Sequence, residues 1–191
     1  LTGTELSSGD GITLYRRPFT EGASGSRALL VRTAQLHTGW KEEFFSHVET
    51  NPWGKPFFPD APQLHFSISH SGDWWICAMS HQPVGLDLQL HQTYADPAKL
   101  AQRFFHPREN SWLAEMGYSH FFDLWSAKES WVKYMGRGFY LDPGDFSLVS
   151  PEGQFPLPPQ GQCKLLPCLP GYSLCLCAQQ IGAIHMEPWI E

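Results

Sequence analysis

Between Leu64 and Gln89 the chain offers three strand-length stretches with almost no room between them. Leu64–Ser69 runs into the turn Ser71-Gly72-Asp73, Trp74–Ser80 into His81-Gln82-Pro83, and Val84–Gln89 completes the set. Connections this short leave no space for a crossover helix, so the spacing predicts an antiparallel meander. Any fold for this chain has to be built around that sheet.

The flanks supply helices. Ser26–His37 carries apolar residues at helical spacing, with Ser26 as its expected N-cap, and a short helical stretch is expected over Lys41–Val48. Asn51–Pro62, with four prolines, reads as loop. Asp96-Pro97 opens a helix to about Phe105, His106-Pro107 another to about Met116, and Ser119 caps a longer one to Met135 with Gly136 as its stop. Strands are expected again at Asp145–Val149, Tyr172–Gln179 and Gly182–Glu187, with Pro151–Pro170 mainly loop. Helix, strands, helices, strands is the order of an α+β protein of two related halves, with the break between Leu90 and Asp96. We therefore expect an N-terminal half over residues 1–92 and a C-terminal half over 93–191, forming one compact unit with a cleft between them.

Composition narrows the function. Hydrophobic residues at 42% supply a packed core. A net charge of −6 argues against a nucleic-acid partner, so an anionic substrate has to be held by local basic groups. No apolar run is long enough to span a membrane. The start, LTGTELSSGDG, lacks the basic and apolar blocks of a secretory signal, and a cytoplasmic location is expected. The five cysteines include no CxxC pair, and Cys175 and Cys177 fall on one side of a strand. They read as buried reduced thiols. A zinc site on Cys163, Cys168, Cys175 and Cys177 is the alternative, at poor ligand spacing.

Four elements can carry chemistry, and each alone has a plainer reading. In Val84-Gly85-Leu86-Asp87-Leu88-Gln89, alternation puts Asp87, Gln89 and an open glycine on one face, which serves a ligand or simply meets solvent. In Trp125-Ser126-Ala127-Lys128-Glu129-Ser130-Trp131-Val132-Lys133, Trp125, Glu129 and Lys133 share a stripe, which is a site or a surface ion pair. Ser69-His70-Ser71-Gly72 gathers hydroxyls and an imidazole suited to phosphate, or is a capped turn. A nucleophilic serine there lacks the Gly-x-Ser-x-Gly elbow. Lys55 sits in a proline-locked Trp-Gly-Lys-Pro loop that binds an anion or only solubilises.

Together these elements are specific. WGKPFF, FSISHSGDWWICAMS, QPVGLDLQ, RFFHPRE and FFDLWSAKESWVKYMGRGF, in that order, resemble the 4′-phosphopantetheinyl transferases of the surfactin-synthetase-activating type, over about Asn51 to Val149. The resemblance implies an α+β pseudo-dimer with its site between the halves. It implies coenzyme A as substrate, Mg²⁺ as cofactor, a serine of an apo acyl or peptidyl carrier protein as acceptor, and adenosine 3′,5′-bisphosphate as leaving group. By the same resemblance Asp87 and Glu129 are metal ligands, and Glu129 is the general base. Lys133 contacts the pyrophosphate and protonates the leaving group. His70 and Ser69 lie on the phosphates, Lys55 near the adenosine, Arg27 on the 3′-phosphate and Lys128 near phosphate, while Trp125 packs. Two positions depart from the pattern. Gln89 stands where many relatives carry a second acid, so a metal set of Asp87, Glu129 and Gln89 is expected to bind more weakly. Asp73 stands where some carry a base, and also suits a turn. A carrier is expected to dock near His106–Tyr118 and the Gly136-Arg137-Gly138-Phe139 loop. With both halves in one chain, a monomer is expected, with no membrane or nucleic-acid partner.

Overall fold

A computed structural model describes residues 11–19, 22–93 and 96–186. The elements are β1 (Ile12–Pro18), α1 (Ala23–Thr38), β2 (Glu49–Thr50), β3 (Pro56–Phe57), β4 (His65–Ser71), β5 (Trp74–Ser80), β6 (Val84–Leu90), α2 (Pro97–Phe104), α3 (Pro107–Glu115), α4 (Phe121–Met135), β7 (Gln162–Leu165), β8 (Tyr172–Ala178) and β9 (Ile184–Met186). One sheet has the order β4-β5-β1-β9, another β6-β8-β7, and β2-β3 is a small pair. This is a mixed helix and sheet fold with largely antiparallel pairing, as expected; β9 runs parallel to β1.

The meander holds for β4 and β5, which pair antiparallel. It fails at β6, which leaves for the second sheet and pairs with β8. The reason lies in the serines that alternate along β4. The Oγ atoms of Ser67, Ser69 and Ser71 accept the backbone N–H groups of Leu86, Leu88 and Leu90 at 2.9, 3.1 and 2.9 Å. Three hydroxyls replace a backbone ladder and satisfy the donors that β6 would otherwise bury. They also let two separate sheets abut.

Side-chain alternation then builds three layers of core. Ile12, Leu14, Ile76 and Ala78 of the first sheet pack with Val84, Leu86, Leu174 and Leu176 of the second. Tyr15, Trp75, Cys77 and Met79, on the other face of the first sheet, pack under Leu30 and Ala34 of α1. Leu124, Ala127, Trp131 and Tyr134 of α4 cover the second sheet at Cys175 and Cys177. Each sheet is thus backed by one helix. Among the described residues no helix is long and apolar enough to cross a membrane.

Several boundaries differ from the sequence expectation. α1 begins at Ala23 with Gly22 at its N-cap, because the hydroxyl of Ser26 is taken by the indole N–H of Trp75 at 2.9 Å. Over Lys41–Val48 only a single 3₁₀ turn forms, Glu42–Phe44, since Phe45 turns inward against Phe58. The Pro-rich Asn51–Pro62 loop contains β3. Ser119 donates to Met116 rather than capping α4, which starts at Phe121. Asp145–Val149 is not a strand; the Leu148 N–H goes to a carboxylate oxygen of Glu109 at 2.8 Å, so side chains do there what a ladder does elsewhere. β1 and β7 have no counterpart in the sequence reading, and β7 lies inside the expected Pro151–Pro170 loop. Cys163 and Cys177 face each other across β7 and β8 and form a disulfide, so these two are not reduced thiols and cannot serve as thiolate ligands for zinc. Cys77, Cys168 and Cys175 are free. The start LTGTELSSGDG lies outside the described residues but for its last glycine.

Candidate active site

α4 approaches β6 closely because Gly85 lacks a side chain. A Cβ there would lie 1.9 Å from the Ser130 carbonyl oxygen and 2.3 Å from the Tyr134 nitrogen. The glycine read as open space for a ligand is in fact the seat of the helix. Neither face of β6 meets solvent over Val84–Leu88.

That contact brings the two motif elements together at Asp87. Its Oδ1 accepts from the Lys133 ammonium at 2.8 Å and from the Ser69 hydroxyl at 2.9 Å. Ser126, one turn of α4 before Glu129, donates to the Asp87 carbonyl at 2.8 Å. Lys133 also donates to the Leu86 carbonyl at 3.1 Å and sits within 3.4 Å of the Ile68 carbonyl. Ser126 was not singled out from sequence; its only signal was its place in the Trp-Ser-Ala-Lys-Glu run.

The electrostatics are those of a site short of positive charge. Burial raises the Asp87 carboxyl above its ordinary range, against the opposing pull of Lys133 and the hydrogen bond from Ser69. Burial, then the Asp87 charge, raises Glu129 as well. Glu129 therefore feels the charge of Asp87. Asp87 Oδ2 is buried with no hydrogen-bond partner among the described residues. An orphan carboxylate oxygen beside a second carboxylate fits a hard divalent cation, which takes oxygen ligands. Gln89 is half-buried, and its amide nitrogen donates to the Leu90 carbonyl at 3.0 Å.

Two pockets meet here. The larger, about 780 Å³, is walled by aromatic residues including Phe66, Phe104, Phe105 and Trp125, and reaches Glu129 and Lys133. The smaller, about 580 Å³, is lined by Arg27, His70, Ser69, Asp87 and Lys133. Pro56, Ile68 and Lys133 are common to both, so Lys133 stands at the junction. Arg27 and His70 are exposed; the guanidinium bonds the Ser46 carbonyl and the imidazole packs on Phe19. Trp125 packs against Phe104, Phe105 and Phe121, as expected.

Two lysines are placed otherwise than the resemblance implies. Lys128 is 1% exposed, and its ammonium meets a Glu109 carboxylate oxygen at 2.6 Å, the Phe146 carbonyl at 2.8 Å and the Phe146 ring. That is a buried structural pair, not an open phosphate contact. Glu109 escaped the sequence reading, although its place three residues after His106 is the signature of the capping box it forms. Lys55 lines the larger pocket, away from Arg27 and His70, and its ammonium donates to the carbonyls of Val84 and Lys133 at 2.9 and 2.7 Å. Arg137 is exposed, and Tyr140 beside it is 76% exposed.

Residues 83–168 match the model of the 4′-phosphopantetheinyl transferase superfamily. The chain is 39% identical over 139 residues to the 4′-phosphopantetheinyl transferase Sfp of Bacillus subtilis (strain 168), covering 68% of this chain and 61% of that protein. It is 40% identical over 100 residues to the 4′-phosphopantetheinyl transferase gsp of Aneurinibacillus migulanus, covering 50% of this chain and 40% of that one. It is 33% identical over 153 residues to psf-1 of Bacillus pumilus, a 4′-phosphopantetheinyl transferase, covering 73% and 64%. The chain spans less than two thirds of the length of these relatives. By sequence it resembles phosphopantetheinyl transferases of the surfactin-synthetase-activating type, as its motifs indicate.

Proposed function

We propose that this chain, similar in sequence to phosphopantetheinyl transferases, moves the 4′-phosphopantetheine arm of coenzyme A onto a serine hydroxyl of an apo acyl or peptidyl carrier protein. The observation that carries the reading is the junction of two pockets at Asp87, Glu129 and Lys133. A diphosphate at that junction has its nucleotide end in the smaller pocket, with Arg27 on the 3′-phosphate and His70 on the chain phosphates. Its pantetheine end points into the larger, mostly apolar pocket. Residues 1–92 and 93–191 are then two halves that exchange strands between their sheets, and the junction is the cleft between them.

The chemistry needs positioning and charge neutralisation more than a covalent partner. The carrier serine oxygen attacks the phosphorus next to the pantetheine. A new P–O bond forms, and the P–O bond to adenosine 3′,5′-bisphosphate breaks. Glu129, at the wall of the larger pocket, takes the hydroxyl proton. Lys133 holds the diphosphate oxygens and returns a proton to the leaving group. Ser69 and Lys133 fix Asp87. Mg²⁺, when bound, would neutralise diphosphate charge, and Asp87 and Glu129 would hold it through their carboxylates, with Gln89 as a weaker, uncharged member of the set. The carrier docks beside the exposed Arg137 and Tyr140.

The test is incubation with coenzyme A, Mg²⁺ and a panel of apo carriers, read by intact mass. The expected outcome is a carrier heavier by one phosphopantetheine group, absent with Glu129→Gln. No gain on any carrier, with the protein folded, would reject the reading.

A further inference from the structure

The turn Asn51-Pro52-Trp53-Gly54-Lys55 is wound around one side chain. Asn51 Oδ1 accepts the N–H groups of Trp53 and Lys55, both at 2.9 Å. The Gly54 N–H closes the turn on the Asn51 carbonyl, and the Asn51 N–H donates to the Lys55 carbonyl, each at 2.9 Å. Gly54 has φ 90°, which only glycine adopts without strain. With its oxygen used inside the turn, Asn51 has one group pointing outward, Nδ2.

Both outward-pointing polar groups of this turn end on the last turn of α4. Asn51 Nδ2 donates to the Gly136 carbonyl at 2.8 Å. The Lys55 ammonium donates to the Lys133 carbonyl at 2.7 Å and to the Val84 carbonyl of β6 at 2.9 Å. The end of a helix leaves carbonyls without intrahelical partners, and a cation there also opposes the helix dipole. At the end of α4 the Gly136 N–H closes back on the Val132 carbonyl. The fit is close, since a Cβ on Gly138 would lie 2.7 Å from the Trp53 carbonyl oxygen. The turn is therefore a C-cap supplied from a distant part of the chain. It pins the end of α4 to Val84 of β6, at Lys133, which lines both pockets.

We propose that Asn51 and Lys55 are positioning residues that clamp the C-terminal turn of α4, and so aim Lys133 and Glu129, and that the Lys55 ammonium is not a coenzyme ligand. The inference rests on the function proposed above for its kinetic consequence, but its structural part stands without it. Burial pushes the Lys55 ammonium down to about 8, in keeping with a cation enclosed by carbonyls.

The experiment uses Lys55→Met, Lys55→Arg and Asn51→Ser. Serine keeps an acceptor for the turn but cannot reach Gly136. Two readouts separate this inference from the function. The first is hydrogen exchange at the amides of Val132–Gly136 in the free protein. The clamp predicts at least tenfold faster exchange in Lys55→Met and Asn51→Ser, and a smaller increase in Lys55→Arg. The second is coenzyme A affinity by calorimetry, with kcat on a carrier that the wild type loads. The clamp predicts kcat down at least tenfold and coenzyme Kd within about twofold. A coenzyme Kd weakened tenfold or more at unchanged kcat would make Lys55 a ligand and overturn the proposal. Unchanged exchange in Lys55→Met would also overturn it, whether or not the wild type loads a carrier.

Discussion

Asp87 and Glu129 are each raised by burial, and Glu129 also by its neighbour's charge. In the metal-free protein they hold protons to a higher pH than the unfolded chain, whose carboxyls titrate near 4. Above that value the folded state binds more protons, so the stability these groups contribute is full below it and is lost as pH rises through their raised values. Subtracting the urea stability of Glu129→Gln from that of the wild type at each pH isolates the effect, and the difference should fall as pH rises. Mg²⁺ at 100 times its Kd should add about 2.7 kcal/mol to the wild type near neutral pH and flatten that fall. A difference that rises with pH, or no response to Mg²⁺, contradicts the proposed carboxylate pair. Lys128 shows the limit of motif reading at this scale. Its spacing to Glu129 is that of the resemblance, yet its ammonium is sealed on Glu109. Lys128→Met should cost about 3–5 kcal/mol by leaving that carboxylate buried and unpaired. Adding Glu109→Gln should restore more than half of the loss in urea unfolding, while coenzyme Kd stays within about twofold. A large change in Kd without loss of stability would return Lys128 to the phosphates.

Among elements, the contact of α4 with β6 carries the site, and it depends on Gly85. A methyl group there has to displace the Ser130 carbonyl, 1.9 Å away, and that carbonyl belongs to helix backbone. Gly85→Ala should cost about 3 kcal/mol or more, and carrier loading should fall further than the folded fraction does, because Glu129 and Lys133 move with the helix. Urea unfolding beside kcat in the remaining folded protein checks this; wild-type stability in the variant would mean that the helix is not seated there. The strands and helices of this region were legible because their signals are local. β5 and the C-terminal end of α4 follow from turn residues and from Gly136, whose φ of 66° stops the helix as expected. The partner of β6 was not legible. Two short turns argue for a meander, and only the hydroxyls at Ser67, Ser69 and Ser71, accepting from β6, show why β6 belongs to another sheet. The same limit explains Asp145–Val149, where apolar residues look like a strand but Glu109 satisfies the backbone. Serines at every second position of β4 also suit a solvated strand face, so their spacing alone does not reveal the partner. Nor does the Cys163–Cys177 disulfide, because five cysteines without a paired spacing do not say which two meet.

At the scale of the whole molecule, the two sheets do not divide where the chain does. β6 ends at Leu90, before the cut, yet pairs with β8, and β9, near the end of the described chain, lies beside β1. A cut at 92/93 would strip β8 of its β6 partner and leave the first sheet without β9. It would also separate Asp87 from Lys133, and Lys55 from α4. The hydrophobic layer between the sheets draws on both sides of the cut, with Ile12, Leu14 and Leu86 before it and Leu174 and Leu176 after it. Exposing such a layer in either piece forfeits burial worth about 25 cal/mol per Å² of apolar surface, on a stability that for a domain is about 5–15 kcal/mol. Residues 1–92 and 93–191 expressed separately should therefore each lack dispersed amide resonances. Mixed together, they should regain the circular dichroism of the intact chain, because β6 and β9 can each find their sheet only in the partner piece. Should either piece fold alone with a cooperative urea transition, the halves would be independent domains, and the site would be an interface between them instead of a product of one shared core.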